Sequence, residues 1–224
     1  MRYIVNAILY LTKTGCQWRM LPVGFPPWQA VYWHFRRFGN KGIWEMICQE
    51  LNKKKRRKAG RKATPSYLLF DSQSVKTNYE ASEVGFHGSK KVKGRSRQVA
   101  VDTEGNLWCT HVHAANRSDT IEGCVLADLA LRKLPGVEAV CADSGYRGTF
   151  VDYLEYVHGL PVHIKERKGK GFKLIGKRWI VERTFGWNNG QRRLSKDYEK
   201  DPRNSESFLY LAAISRSIRH RVFY

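Results

Sequence analysis

Cysteine is sparse in this 224-residue chain, and no two cysteines form a C-x-x-C pair. Cys16, Cys48, Cys109, Cys124 and Cys141 are scattered, odd in number and flanked by apolar or small residues. That argues against a disulfide framework and against a zinc site, and leaves buried free thiols as the expectation. No apolar run approaches ~20 residues and no signal-peptide pattern is seen, so no membrane span is expected. Low-complexity tracts and internal repeats are also missing, as in an ordinary globular chain. Acid is scarce: 20 Asp and Glu stand against 40 Lys and Arg, a formal charge of +20. An excess of that size favours a polyanionic partner, nucleic acid before an anionic membrane surface.

What is present divides the chain in three. Residues 1–51 read as helical. "YIVNAILYLTKTGCQW" has apolar residues at helical spacing and is closed by Gly15, "PPWQAVYWHFRRFGNKG" opens on proline, and "IWEMICQEL" follows. Three helices with a tight turn between the first two suit a helix-turn-helix unit, whose second helix would present Gln29, Tyr32, Arg36 and Arg37 to DNA. A plain helical hairpin with solvated basic residues fits the same pattern. Residues 52–64 begin with "NKKKRRKAGRK", which has no apolar residue larger than alanine and reads as an unpacked basic linker or a phosphate-tracking arm. Residues 65–224 change texture. "SYLLF", "SRQVAVD", "LWCTHVHAA", "VEAVCAD" and "PVHIKE" read as strands, with "DTEGN" as a hairpin turn and helices interleaved after the third strand. A meander feeding βαβ crossovers predicts one mixed α/β sheet of five strands with helices on both faces.

Two of those strands end alike. "LLFDSQS" places Asp71 after an apolar run, and "AVCADSGY" does the same with Asp143. If the strands are parallel neighbours, both carboxylates leave the sheet at its carboxyl edge, where open α/β sheets bind ligands. Two such groups side by side repel, and a divalent cation removes the conflict, Mg²⁺ or Mn²⁺ suiting oxygen donors best. A third acid, Glu182, stands in the apolar segment "RWIVERTFGW" with Arg178 four residues before it. A simple i,i+4 ion pair accounts for that spacing as well.

The blocks "VNAILYLTKTGCQWRMLP", "FPPWQAVYWHFRRF", "DSQSVKT", "KKVKGR", "ADSGYRG" and "RWIVERTFGW…RRLSKDYE" resemble, in order and over nearly the whole chain, the DDE transposases of bacterial insertion sequences of the fifth family, related to the fourth. The resemblance implies an RNase H-like catalytic domain with strand order 3-2-1-4-5, and Asp71, Asp143 and Glu182 as its catalytic, metal-holding acids. It implies two Mg²⁺ ions, with Mn²⁺ substituting, and hydrolysis at the element's ends followed by attack of the freed 3′-OH on target DNA. It also implies a homodimer on double-stranded DNA (terminal inverted repeats and target) and a cytoplasmic, nucleoid-associated place in a bacterium. Relatives carry some tens of residues ahead of the point matching Met1, so an incomplete N-terminal region is expected.

Arg178 matches the arginine that precedes the glutamate by four in the family's signature and is expected to clamp the phosphate. A basic residue is expected where this chain has Asn189, and Arg193, on the same face of a continuing helix, would supply the charge. Gly190 would then lie inside that helix at a cost of ~1 kcal/mol. Lys76, Lys90, Lys91, Lys93 and Arg95 are expected to track the DNA backbone. "KGKGFK" lacks Walker spacing and reads as a DNA-contacting loop. His111 and His113 share a strand face without a third metal ligand. Asp102 and Asp119 read as turn and helix-start residues, Asp152 and Glu155 as solvated helix positions. A metal-dependent nuclease of the same fold, or an impaired copy that only binds DNA, would share most of these features.

Overall fold

A computed structural model describes residues 1–165 and 178–222. Helix α1 (Arg2–Thr14) buries Ile4, Ala7, Ile8 and Leu11, a stripe at helical spacing. It ends on Gly15 at φ 70°, a left-handed conformation that turns the Gly15 N–H back onto the Leu11 carbonyl. The chain then passes through a single 3₁₀ turn, Trp18–Met20, before α2 (Trp28–Asn40). The tight turn expected between the first two helices is therefore absent. The short connection lies between α2 and α3 (Ile43–Lys58), at Lys41 and Gly42.

Helix α3 also corrects the expected linker, because it continues through the basic run to Lys58. Its buried stripe is Trp44, Cys48, Asn52 and Arg56, each four residues after the last. The two polar members are satisfied by the main body of the protein. Asn52 donates to the Leu107 carbonyl at 2.6 Å, and the Arg56 guanidinium meets Asp102 at 2.9 Å. A basic run can pack when every fourth residue finds a buried acceptor. The three N-terminal helices share one apolar core with the last helix, including Phe35, Trp44 and Phe208.

The sheet comprises β1 (Tyr67–Lys76), β2 (Gly85–His87), β3 (Val92–Val101), β4 (Leu107–Ala114), β5 (Ala139–Asp143) and β6 (Val162–Lys165). β2 is a short addition on β3. The five longer strands run β4-β3-β1-β5-β6, which is the order 3-2-1-4-5. β1 pairs antiparallel with β3 and β3 with β4, while β1, β5 and β6 are parallel.

Alternate strand residues separate two cores. Leu69, Val99 and Cys141 face α1, α2, α3, α6 (Arg178–Asn189) and α7 (Pro202–Val222). Leu68, Phe70, Val140 and Ala142 face α4 (Asp119–Leu131) and α5 (Thr149–His158). This mixed sheet, covered on both faces and extended by a helical N-terminal region, is an RNase H-like architecture.

Candidate active site

Asp71 lies inside β1, not at its exit: β1 continues to Lys76 and pairs Asp71 with Val99 of β3. What ends there is the other ladder. β1 and β5 pair in parallel from Tyr67–Ala139 to Leu69–Cys141. Two residues further along each strand, the same register sets Asp71 beside Asp143, the last residue of β5. Both acids follow the parity of Leu69 and Cys141, so both turn to the α6 face. The backbone holds each of them. The Ser72 N–H donates to Asp71 Oδ1 at 2.8 Å, and the Gly145 N–H donates to Asp143 Oδ1 at 2.9 Å. A Cβ on Gly145 would lie 3.0 Å from that same oxygen, a tight contact that glycine avoids.

Glu182 sits exposed in α6, which packs against β1. Its helix is fixed by a stack next to it. Arg183 lies over the rings of Trp179 at 4.4 Å and Trp187 at 4.5 Å, and Arg216 of α7 lies over the ring of Trp187 at 4.0 Å. Arg183 and Arg216 also donate to the carbonyls of Glu104 and Gly105 in the β3–β4 turn. Among the described residues no three acid, histidine or cysteine side chains are gathered closely enough to hold a metal ion. The Asp71–Asp143 pair nonetheless offers the right donors, hard oxygens on adjacent strands facing the helix that carries the third acid.

A further acid stands at this edge. Asp119, the first residue of α4, accepts from the Ser72 hydroxyl at 2.8 Å and has the Lys90 ammonium 3.7 Å away. Tyr146 lies buried beneath. Burial first, then the carboxylates of Asp119, Asp71 and Asp143, push its phenol well above the ordinary tyrosine value, so it stays protonated. Asp119 looked like a helix-start residue because acids favour first turns. Topology held the missing signal: β4 is parallel to β1 through two antiparallel steps, so the residues after β4 emerge at the carboxyl edge.

Comparison with protein families now decides the identity. Residues 62–218, more than half the chain, match the transposase DDE domain. The chain belongs to the DDE transposases. Residues 1–48 match a second model, for transposases of the IS4/5 family, so the resemblance read from the sequence is borne out at both ends. No curated protein matches the chain. The transposase is thus an enzyme that binds DNA, and domains of its family depend on a divalent metal ion. No helix among the described residues is long and apolar enough to cross a membrane.

The basic residues of the transposase fall into two groups. Lys76, Lys90, Lys91 and Lys93 are exposed, as are Gln29, Arg36 and Arg37 of α2. Tyr32 is half-buried against Trp18, ring centroids 5.1 Å apart. Gln29, Tyr32, Arg36 and Arg37 line one surface groove of about 730 Å³ with Trp28 and Trp33, two aromatics the sequence reading passed over.

Arg95 and Arg193 are corrected. Arg95 is wholly buried, bonded to the carbonyls of Glu199 and Lys200 at 2.8 Å and 3.3 Å from Asp197. Arg193 is buried against Glu199, Nη2 to Oε1 2.6 Å, above the rings of Trp18, Tyr198 and Phe208. Helix α6 stops at Asn189, so Gly190 follows the helix and Arg193 belongs to a 3₁₀ turn, Arg192–Leu194. Arg95 ties the "RRLSKDYE" segment to the sheet, and Arg193 braces that segment internally through Glu199 and against the Cys16 carbonyl; both are buried away from solvent. The "KGKGFK" loop and the Arg178 side chain lie outside the described residues.

The paired histidines have structural partners. His111 Nε2 bonds Glu122 of α4 at 2.8 Å and its Nδ1 lies 3.5 Å from Glu206 of α7, while His113 Nδ1 bonds the Ala114 carbonyl at 2.9 Å. Burial opposes charge on His111, but Glu206 and Glu122 outweigh it and hold the imidazolium above the ordinary value of 6.5. A raised folded pKa stabilises fully below the unfolded value and is lost as pH rises through the folded one. Unfolding free energy measured by urea titration is expected to fall as pH rises above about 6.5, the ordinary histidine value, and His111→Gln should flatten that fall.

Proposed function

We propose that the transposase cuts the ends of an insertion sequence and joins the freed 3′-OH to target DNA, with Asp71, Asp143 and Glu182 as its catalytic carboxylates and Mg²⁺ as the ion, Mn²⁺ substituting. The observation that carries this reading is the register that sets Asp71 beside Asp143 on the face covered by α6. When bound, the metal lowers the pKa of an attacking water and stabilises the departing oxygen. The three carboxylates would hold it. The first reaction breaks the P–O3′ bond as water adds to phosphorus; the 3′ oxygen takes up a proton and the 5′ phosphate stays on the other strand end. The second repeats the exchange, with the 3′-OH in place of water and a target 3′ oxygen as leaving group. No covalent protein–DNA bond is required, so no serine or tyrosine nucleophile is assigned.

Lys76, Lys90, Lys91 and Lys93 would hold the backbone beside the acids, and Arg178 would clamp the phosphate. The α2 face (Gln29, Tyr32, Arg36 and Arg37) would grip the element's terminal repeat. Two ends must be cut and joined together, which calls for a homodimer on DNA, acting in the bacterial nucleoid. A labelled duplex carrying the element end tests the reaction: metal-dependent nicking that leaves 3′-OH and 5′-phosphate ends supports it, and the reverse polarity contradicts it. For α2, Arg36→Ala with Arg37→Ala is expected to weaken end binding and reduce the slope of log affinity against log salt by about 2, read by anisotropy at several salt concentrations.

A further inference from the structure

We propose that Asp119 is a positioning residue for the transposase reaction, holding Ser72 and, through the Ser72 backbone N–H, the carboxylate of Asp71. This rests on the assignment of Asp71 as a catalytic acid. Ser72 follows Asp71 in β1 and turns to the opposite face of the sheet, where α4 begins. Its hydroxyl donates to Asp119 Oδ2 at 2.8 Å while its N–H donates to Asp71 Oδ1 at 2.8 Å, so one residue links the two acids. Gln98, paired with Ser72 across the β1–β3 ladder, donates to the Asp119 carbonyl at 3.0 Å and approaches Oδ1 at 3.5 Å. The Lys90 ammonium lies 3.5 Å from the Ser72 hydroxyl and 3.7 Å from Asp119 Oδ2.

A plain helix-start role does not account for this arrangement. The N-cap of α4 is Ser118, and the Asp119 oxygens turn to β1, β3 and Lys90 instead of to the N–H groups of their own helix. A carboxylate at the same sheet edge as two others, all three acting on the Tyr146 phenol, adds repulsion that a neutral hydrogen-bonding residue would avoid. Lys90 offsets part of it. The hydrogen bond to Ser72 then fixes the strand segment from which Asp71 projects. Partners of this kind, one bond behind a metal-binding acid, typically change activity or metal affinity by about 10- to 100-fold.

The test compares Asp119→Ala, Asp119→Asn, Ser72→Ala and the Asp119→Ala/Ser72→Ala double variant with Asp71→Asn, in cleavage of the end duplex with Mn²⁺. Readouts are kcat, KM, the thermal midpoint, and Mn²⁺ binding to the DNA-free protein by calorimetry. Asp119→Ala is expected to lower kcat about 10- to 100-fold with KM within about 3-fold. Ser72→Ala should match it and the double variant should add nothing more. Asp119→Asn keeps an oxygen for the Ser72 hydroxyl and should recover most of the rate. An unchanged kcat in Asp119→Ala, where Asp71→Asn abolishes cleavage, overturns the inference alone. So does an Asp119→Asn variant that folds normally yet is as slow as Asp119→Ala and loses Mn²⁺ affinity equally, since Asp119 would then be a ligand itself. Normal cleavage by Asp71→Asn overturns the active-site assignment, and this inference with it.

Discussion

Asparagine at position 143 is expected to lower strand cleavage by more than about 10³-fold while moving the thermal midpoint by no more than a few degrees. The substitution keeps the shape and the Oδ1 atom that accepts from the Gly145 N–H at 2.9 Å, so the turn after β5 survives. It removes only the charge through which Asp143 would hold a cation. Asp71→Asn should be equally inactive, with a difference in stability. Asp71 is buried and register-matched to Asp143, so neutralising it relieves repulsion in the metal-free protein. The inactive Asp71→Asn protein is therefore expected to unfold at or above the wild-type temperature in EDTA. Loss of activity together with a gain in stability is the mark of a site whose charges serve a ligand. Calorimetry beside a cleavage assay reads both, and a large drop in midpoint for either variant would show the acids to be structural.

The second large effect concerns stability alone. Arg95→Ala is expected to destabilise the fold by about 3–5 kcal/mol, because it strands the buried Asp197 carboxylate. The guanidinium also binds the carbonyls of Ser82, Glu199 and Lys200 and the Ser205 hydroxyl. These groups close the "RRLSKDYE" segment onto β1, where Asp197 N–H bonds the Lys76 carbonyl at 2.9 Å. Thermal melts should show a fall of roughly 6–20 °C for a chain of this size. The exposed Lys91→Ala should stay within about 0.5 kcal/mol. If Arg95→Ala melted normally and only weakened DNA binding, Arg95 would be a DNA ligand after all.

The contrast between Asp71 and Arg95 shows which parts of the transposase are readable from sequence. Asp71 and Asp143 announce themselves locally, each after an apolar strand and before a small polar residue, and strand parity does the rest. Arg56, Arg95 and Arg193 do not. A net charge of +20 makes solvent or DNA the natural destination of any arginine. Their actual partners, Asp102, Asp197 and Glu199, lie where only the folded chain can bring them. The same limit hid the helix within the basic run, since the Asn52 and Arg56 acceptors belong to the β3–β4 hairpin. Arg193 departs from expectation for another reason: helical spacing from Glu182 runs through Gly190, and the helix stops at Asn189. Asp119 was legible in principle from the direction of β4 and was obscured by its resemblance to an ordinary first-turn acid.

The most direct measurement maps breaks in a plasmid carrying the gene's own flanking DNA, incubated with purified protein in Mg²⁺, Mn²⁺ or EDTA beside Asp143→Asn. The site built from Asp71, Asp143 and Glu182 predicts metal-dependent cuts at the element ends that vanish in EDTA and in the variant. Binding without cuts, or cuts that persist in Asp143→Asn, would contradict it.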